Sequence, residues 1–186
     1  MNKLTIIVNK NGEFISYTNL EQALCSEKLP LIAYLEGSFS FKNILDLLTI
    51  PLIYAEKESI FDFTQTKDLF EQEIPNNFSL LVKRIGYANA LEVLLSSSVY
   101  SAKEAYQLKL INKICTEQEF QEQVKRMSKL SLSAIDLALD LADRMPHLAN
   151  AQAEVLERYV FALRFAHPDQ KEGMQAFLEK RSPKFP

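Results

Sequence analysis

The run GYANALEVLLSSSVYSAKEAYQLKLINKIC, from Gly86 to Cys115, constrains this chain more than any other stretch. Ala88, Leu91, Leu94 and Leu95 recur at spacings of three and four, which predicts one apolar helix face. Ser101 stands three residues before Glu104, the spacing of a capping box, where each side chain satisfies a backbone N–H at the helix start. Ala102, Ala105, Tyr106 and Leu108 are expected to line the helix that follows. Residues 110–115 then alternate into a strand carrying Ile111 and Ile114. Helix, short loop, capped helix and strand make up a unit found in many α/β domains, and spacing alone goes no further.

Upstream, Leu4–Val8 and Glu13–Tyr17 flank Asn9-Lys10-Asn11-Gly12, which predicts a hairpin. Thr18 or Asn19 is placed to cap a short helix reaching Cys25, with Leu20, Ala23 and Leu24 inward. Pro30–Leu35 reads as a strand buried on both faces, broken at Gly37-Ser38-Phe39-Ser40. Residues 42–49 suggest a helix through Ile44, Leu45, Leu47 and Leu48, and 52–55 and 59–63 are again strand-like. Strand, helix and strand in alternation argue for a parallel sheet with crossover helices. Pro75-Asn76-Asn77 marks a loop before the central run.

After Cys115 the pattern is helical throughout. Thr116 and Glu119 form a second capping box. Leu132, Ile135, Leu139 and Ala142 predict one helix, and Leu148, Val155, Leu156, Tyr159, Val160 and Leu163 another, with Met145-Pro146-His147 between them. Pro168 suits the first turn of a last helix, which makes His167 its lead-in residue rather than a general base. The expected organisation is an α/β core over 1–115 and a helical region over 116–186 in the same structural domain.

A length of 186 residues is enough for one sizeable core. A net charge of −3 gives no reason to expect nucleic acid or an anionic membrane as partner. Two cysteines, Cys25 and Cys115, and two histidines, His147 and His167, form no spaced cluster, so no metal site is expected. No apolar run is long enough to span a bilayer, and the start has too short an apolar stretch for a signal peptide, so the expected setting is the cytoplasm.

The order of residues in the central run is more specific than its pattern. It resembles a segment of the crotonase superfamily, the enoyl-CoA hydratases and isomerases, written G-x-x-x-A-x-E-x-x-L-(S/T)-x-x-x-x-(S/T)-A-x-E-A-x-x-x-G-L-(V/I)-x-x-(V/I). Gly86, Ala90, Glu92, Leu95, Ser101, Ala102, Glu104, Ala105, Leu110, Ile111 and Ile114 occupy those places, and Lys109 stands where the family usually has glycine. The closing stretch Glu172–Phe185 is similar to the family's E-G-x-x-A-F-x-E-K-R-x-P-x-F. Pro30–Gly37 is similar to the family strand P-x-I-A-A-x-x-G. The resemblance covers roughly Leu29 to Phe185. It implies an α/β fold, a truncated crotonase-like ββα core with a C-terminal helical region.

Carried over residue by residue, the resemblance implies an altered site. The family places a glycine-rich run after the strand, so that backbone N–H groups reach a thioester enolate. Here Phe41, Lys42 and Asn43 occupy those positions, and Phe41 and Lys42 are expected to crowd the acyl group. An N–H or the ammonium of Lys42 is the remaining oxyanion candidate. The family's two catalytic glutamates align with Leu45 and Gln65, and its usual aspartate with Pro51; Glu71 or Glu73 could substitute if the loop is redrawn. Only 28 residues precede Leu29, against a longer family leader that supplies a second oxyanion N–H and part of the CoA pocket. Tyr34 and Glu36 lie near the expected pocket.

Phe177 and Lys180 match family residues that touch the CoA adenine and phosphate. Read without the family, Phe177 packs the last helix, and Lys180 and Arg181 form a solvated face suited to a helix C-terminus. The implied ligand is a CoA thioester with no further cofactor, and the implied assembly a homotrimer or higher homo-oligomer. Two functions follow. One is a protein impaired as a hydratase that binds acyl thioesters or an assembly partner. The other is an active isomerase, decarboxylase or hydratase on acyl-CoA or acyl-carrier protein, using non-standard residues.

Overall fold

The computed structural model describes residues 3–10, 13–18, 30–66 and 78–185. The expected helix over 19–25, Cys25, the turn residues Asn11 and Gly12, and Glu71 and Glu73 lie outside the described residues. By internal contacts the chain divides into two units, 1–124 and 125–186.

The described residues of the first unit form two sheets. The larger has five strands in the order β2 (Glu13–Tyr17), β1 (Lys3–Lys10), β3 (Pro30–Glu36), β5 (Leu52–Ala55), β8 (Lys113–Ile114). β1 and β2 form the expected hairpin, with Lys10 opposite Glu13. β3 runs antiparallel to β1 and parallel to β5, and β5 is parallel to β8. The smaller sheet joins β4 (Ser38–Ser40), β6 (Ile60–Asp62) and β7 (Val99–Ser101). Gly37, at φ 109°, turns the chain from one sheet into the other; that backbone region is one glycine enters without a Cβ penalty.

Alternation sorts β3 between two packed layers. Ala33 and Leu35 join a core with Ile6, Ile53 and Ala55, covered by α1 (Phe41–Leu47), α2 (Phe78–Ile85), α3 (Tyr87–Ser96) and α4 (Ala102–Gln107). On the other face Tyr34 stacks on Phe120 with ring centroids 5.1 Å apart, and Tyr54 meets the same ring edge-on at 6.3 Å. Phe120 belongs to α5 (Glu117–Met127), so the first helix after Cys115 still serves the sheet. The strand is buried on both faces, as its apolar run predicts.

Both capping boxes form. Ser101 Oγ accepts from the Glu104 amide at 3.3 Å, and Glu104 Oε2 accepts from the Ser101 amide at 2.8 Å. Thr116 and Glu119 repeat the exchange at 3.3 and 2.8 Å.

Several expectations are corrected. The buried stripe of α3 is Ala90, Val93 and Leu94, while Ala88 and Leu95 face solvent, so the helix is rotated from the face first read. Tyr106 is exposed and Leu108 ends α4. The strand over 110–115 shrinks to Lys113–Ile114, because Leu110 and Ile111 are spent in a turn whose amides return to the Ala105 carbonyl. The helix over 42–49 begins one residue earlier and ends at Leu47.

The second unit carries α6 (Leu132–Arg144), a 3-10 turn (Met145–His147), α7 (Asn150–Phe165) and α8 (Pro168–Leu178). α7 turns Ala153, Leu156, Val160 and Arg164 partly inward and leaves Val155, Tyr159 and Leu163 exposed, against the expected stripe. Among the described residues no helix is long and apolar enough to cross a membrane.

Candidate functional site

The expected oxyanion region is the junction of β4 and α1. The chain passes from Ser40 into helix at Phe41 without an intervening loop. Ser40 holds the cap position, but its hydroxyl donates sideways to Asn43 Oδ1 at 2.7 Å and caps no amide. Phe41 is 1% exposed. Its ring meets Phe63 at 5.5 Å, and Phe63 meets Tyr100 edge-on at 5.7 Å. Phe39 and Phe61, paired at 6.4 Å across β4 and β6, continue this aromatic layer. The side chains of Lys42 and Asn43 are exposed. Phe41 therefore fills space next to the junction, whereas Lys42 fills none; the two were expected to act together. The helix period explains the split, since Phe41, Ile44 and Leu45 share the inward face.

Leu45 is 3% exposed and lies within the main core. Gln65 is exposed, in a turn fixed from both sides. Asp62 Oδ1 accepts from the Thr64 hydroxyl at 2.6 Å and the Thr64 amide at 2.8 Å, which holds its carboxyl below the usual range. Thr66 is buried and donates to the carbonyls of Phe63 and Leu94. Leu45 has no ionisable group and Gln65 none either, so these two positions move no proton. Among the described residues no group of three or more His, Cys, Asp or Glu gathers to hold a metal.

Tyr34 and Glu36 separate. Tyr34 is buried under Phe120, and burial, with Glu56 and Glu36 nearby, pushes its pKa up to about 12. Glu36 is exposed.

Two residues that the sequence reading passed over fix the segment between α1 and β5. The half-buried Arg84 donates through Nη2 to the carbonyls of Ile50 and Pro51, at 2.5 and 3.3 Å. Asn112 bonds Ile53 twice, its side-chain Oδ1 accepting from the Ile53 backbone N–H and its own backbone N–H donating to the Ile53 carbonyl, each at 2.7 Å. Arg84 also reaches Asn112 Oδ1 at 3.4 Å. Desolvation lowers the Arg84 pKa. A cation three residues after Leu81 and next to Ile85, the two buried residues of FSLLVKRI, was the available signal.

In the second unit, Phe177 is 80% exposed, which overturns its reading as core packing. Lys180 follows α8 in the left-handed region at φ 53°, with its side chain exposed. Arg181 is no idle surface cation. Its guanidinium donates to both carboxylate oxygens of Glu172 at 2.6 and 3.0 Å and to Glu179 at 2.5 Å. Glu172 also accepts from the Lys184 amide at 2.7 Å. Arg181 and the Lys184 amide hold the Glu172 carboxyl down at about 2. The closing motif thus ties the last residues back along α8.

A family model described as enoyl-CoA hydratase/isomerase matches residues 10–186. The crotonyl-CoA hydratase of Syntrophomonas wolfei is 34% identical over 110 residues, which are 56% of this chain and 42% of that protein. The mitochondrial enoyl-CoA hydratase of Pongo abelii is 29% identical over 165 residues, 85% of this chain and 56% of that one. The chain thus spans about half the length of these relatives. The crystal structure of an enoyl-CoA hydratase from Mycobacterium smegmatis superposes with a TM-score of 0.73 at 22% identity, covering 84% of this chain and 62% of that chain. The matched motifs, the α/β core with its helical C-terminal region and these likenesses agree: the chain belongs to the enoyl-CoA hydratase/isomerase family and has the crotonase fold.

Proposed function

We propose that this chain is a crotonase-fold protein impaired as a hydratase, serving in the cytoplasm as an acyl-thioester-binding or assembly partner. The observation that carries the reading is Leu45, a buried aliphatic side chain at the position the family gives to a catalytic glutamate. Gln65 at the second such position and Phe41 packed on Phe63 support it. Hydration uses a base and an acid about one water, and removing one such group costs on the order of 10²–10⁴ in rate. Loss of an oxyanion donor costs on the order of 10²–10³ more, although groups acting as a unit do not multiply.

A spectrophotometric assay with crotonyl-CoA tests the impairment. The expected result is no measurable hydration; turnover near the enzyme median of roughly 10 per second would overturn it. Such turnover would favour an active thioester enzyme using non-standard residues, with Glu71 and Glu73 the first to replace. Calorimetry with CoA tests the binding role separately. The exposed Lys180 and Phe177 are the contacts proposed for the ligand, so binding is expected to be weak and to fall by up to about fivefold in Lys180→Ala, the worth of an exposed charge pair, and unchanged binding would contradict the contact.

A further inference from the structure

The start of α8 holds one carboxylate whose two oxygens are served unequally. Asp169 is nine-tenths buried. Its Oδ2 accepts from Ser133 Oγ at 2.5 Å and from Ser131 Oγ. Its Oδ1 is buried with no hydrogen-bond donor. His167 Nδ1 stands 3.6 Å from Oδ1, and that nitrogen is already engaged: it accepts from the Asp169 amide at 3.3 Å. Pro168, the first residue of α8, has no N–H, so the Asp169 amide is the first in the helix that needs a cap.

We propose that the first turn of α8 is a proton-operated cap. In neutral imidazole Nδ1 carries a lone pair and caps the helix, which requires the proton to sit on Nε2. When solvent delivers a second proton, Nδ1 becomes a donor. It can no longer accept from the Asp169 amide, and the nearest acceptor without a donor is Asp169 Oδ1. The same nitrogen therefore exchanges a backbone cap for a charge-assisted bond to a buried carboxylate. The His167 side chain is 39% exposed, so water can supply the proton.

The surrounding charges suit this exchange. α6 turns the hydroxyls of Ser131 and Ser133 toward Asp169, and α7 contributes Arg164, whose Nη1 donates to Ser133 Oγ at 2.7 Å. Burial raises the Asp169 pKa, but the two hydroxyls, then His167 and Arg164, outweigh it and leave the carboxyl below its ordinary value. Asp169 is therefore ionised wherever an imidazole titrates.

Amide hydrogen exchange on the full chain at about pH 5 and about pH 8 tests the cap. With intrinsic exchange rates corrected, protection of the Asp169 amide is expected to be about fivefold lower at the acid pH, the worth of a typical cap. In His167→Asn, whose amide oxygen caps at either pH, the difference should vanish. His167→Ser serves if the asparagine variant does not fold. Nitrogen NMR should find Nδ1 unprotonated at the higher pH. Equal protection at both pH values in the wild type, the same loss in His167→Asn, or abolition of the change by His147→Gln would each overturn the proposal.

Discussion

Leu45 and Gln65, the two positions proposed to replace catalytic carboxylates, differ in what they tolerate. Leu45→Glu would bury a carboxylate in the apolar core that holds Phe41, Ile44 and Leu47. Such an uncompensated charge costs about 3–5 kcal/mol, so the urea midpoint is expected to fall sharply. Gln65→Glu is exposed and should stay within about 0.5 kcal/mol of wild type. Tyr34 gives the alkaline counterpart. Its folded value of about 12 lies above the ordinary value of about 10, so its neutral form favours the folded state. That contribution is whole below about pH 10 and is lost as pH rises from there toward 12. Tyr34→Phe should flatten the alkaline fall in melting temperature. An equally steep fall in the variant would show that another group titrates there.

At the scale of elements, the clasp at the end of α8 makes an acid prediction. Glu172 has a folded value of about 2, below the ordinary carboxylate range near 4.3. Its stabilisation is present above that range and lost as pH falls toward 2. The Lys184 amide should lose exchange protection over the same interval, and Arg181→Ala should remove the protection at neutral pH. The elements most legible in the sequence were those with local chemistry: the paired strands of the first hairpin, two capping boxes, and Pro168 at the start of its helix. Of the smaller sheet only β6 was legible, within the strand expected over 59–63. β4 and β7 are three residues each, too short for a period of two to register, and Gly37 to Ser40 read as a simple break. Faces of α3 and α7 were misjudged because apolar residues recur on more than one side, and only tertiary contacts choose among them.

For the whole molecule, residues 125–186 leave Val155, Tyr159, Phe161, Leu163, Phe165, Met174, Phe177 and Leu178 exposed. Apolar area of that extent is usually covered by another surface. Self-association, as a homotrimer or larger ring of this chain, is the proposed cover. Light scattering at high micromolar concentration is expected to find an oligomer, and a monomer there would refute it. The positions proposed for the candidate site come from counting along a family motif, from Gly37 through Phe41 to Leu45. What fills the space beside them was not legible, because Phe41 packs on Phe63 and Phe63 on Tyr100, partners far apart in sequence. Arg84 was missed for the same reason: its acceptors, Ile50 and Pro51, lie more than thirty residues upstream.

The left-handed residues after α4 and α8 bear on heat tolerance. Lys109 at φ 66° and Lys180 at φ 53° each hold a backbone shape that suits glycine. A Cβ there costs on the order of 1 kcal/mol, partly offset by glycine's greater freedom in the unfolded chain. Ser97 adopts the same shape at φ 44°, but its hydroxyl bonds Thr66 Oγ1 at 2.7 Å and would be missed. Lys109→Gly gives up the ammonium that sits 5.3 Å over the Tyr106 ring, so its gain should be the smaller. Lys180→Gly should raise the melting temperature by at most about 2–4 °C, the effect of roughly 1 kcal/mol before the offset in a chain of this size. The lysine proposed to contact the ligand is thus also the one whose removal is expected to make the protein hardier, and warmth and ligand would pull that position in opposite directions.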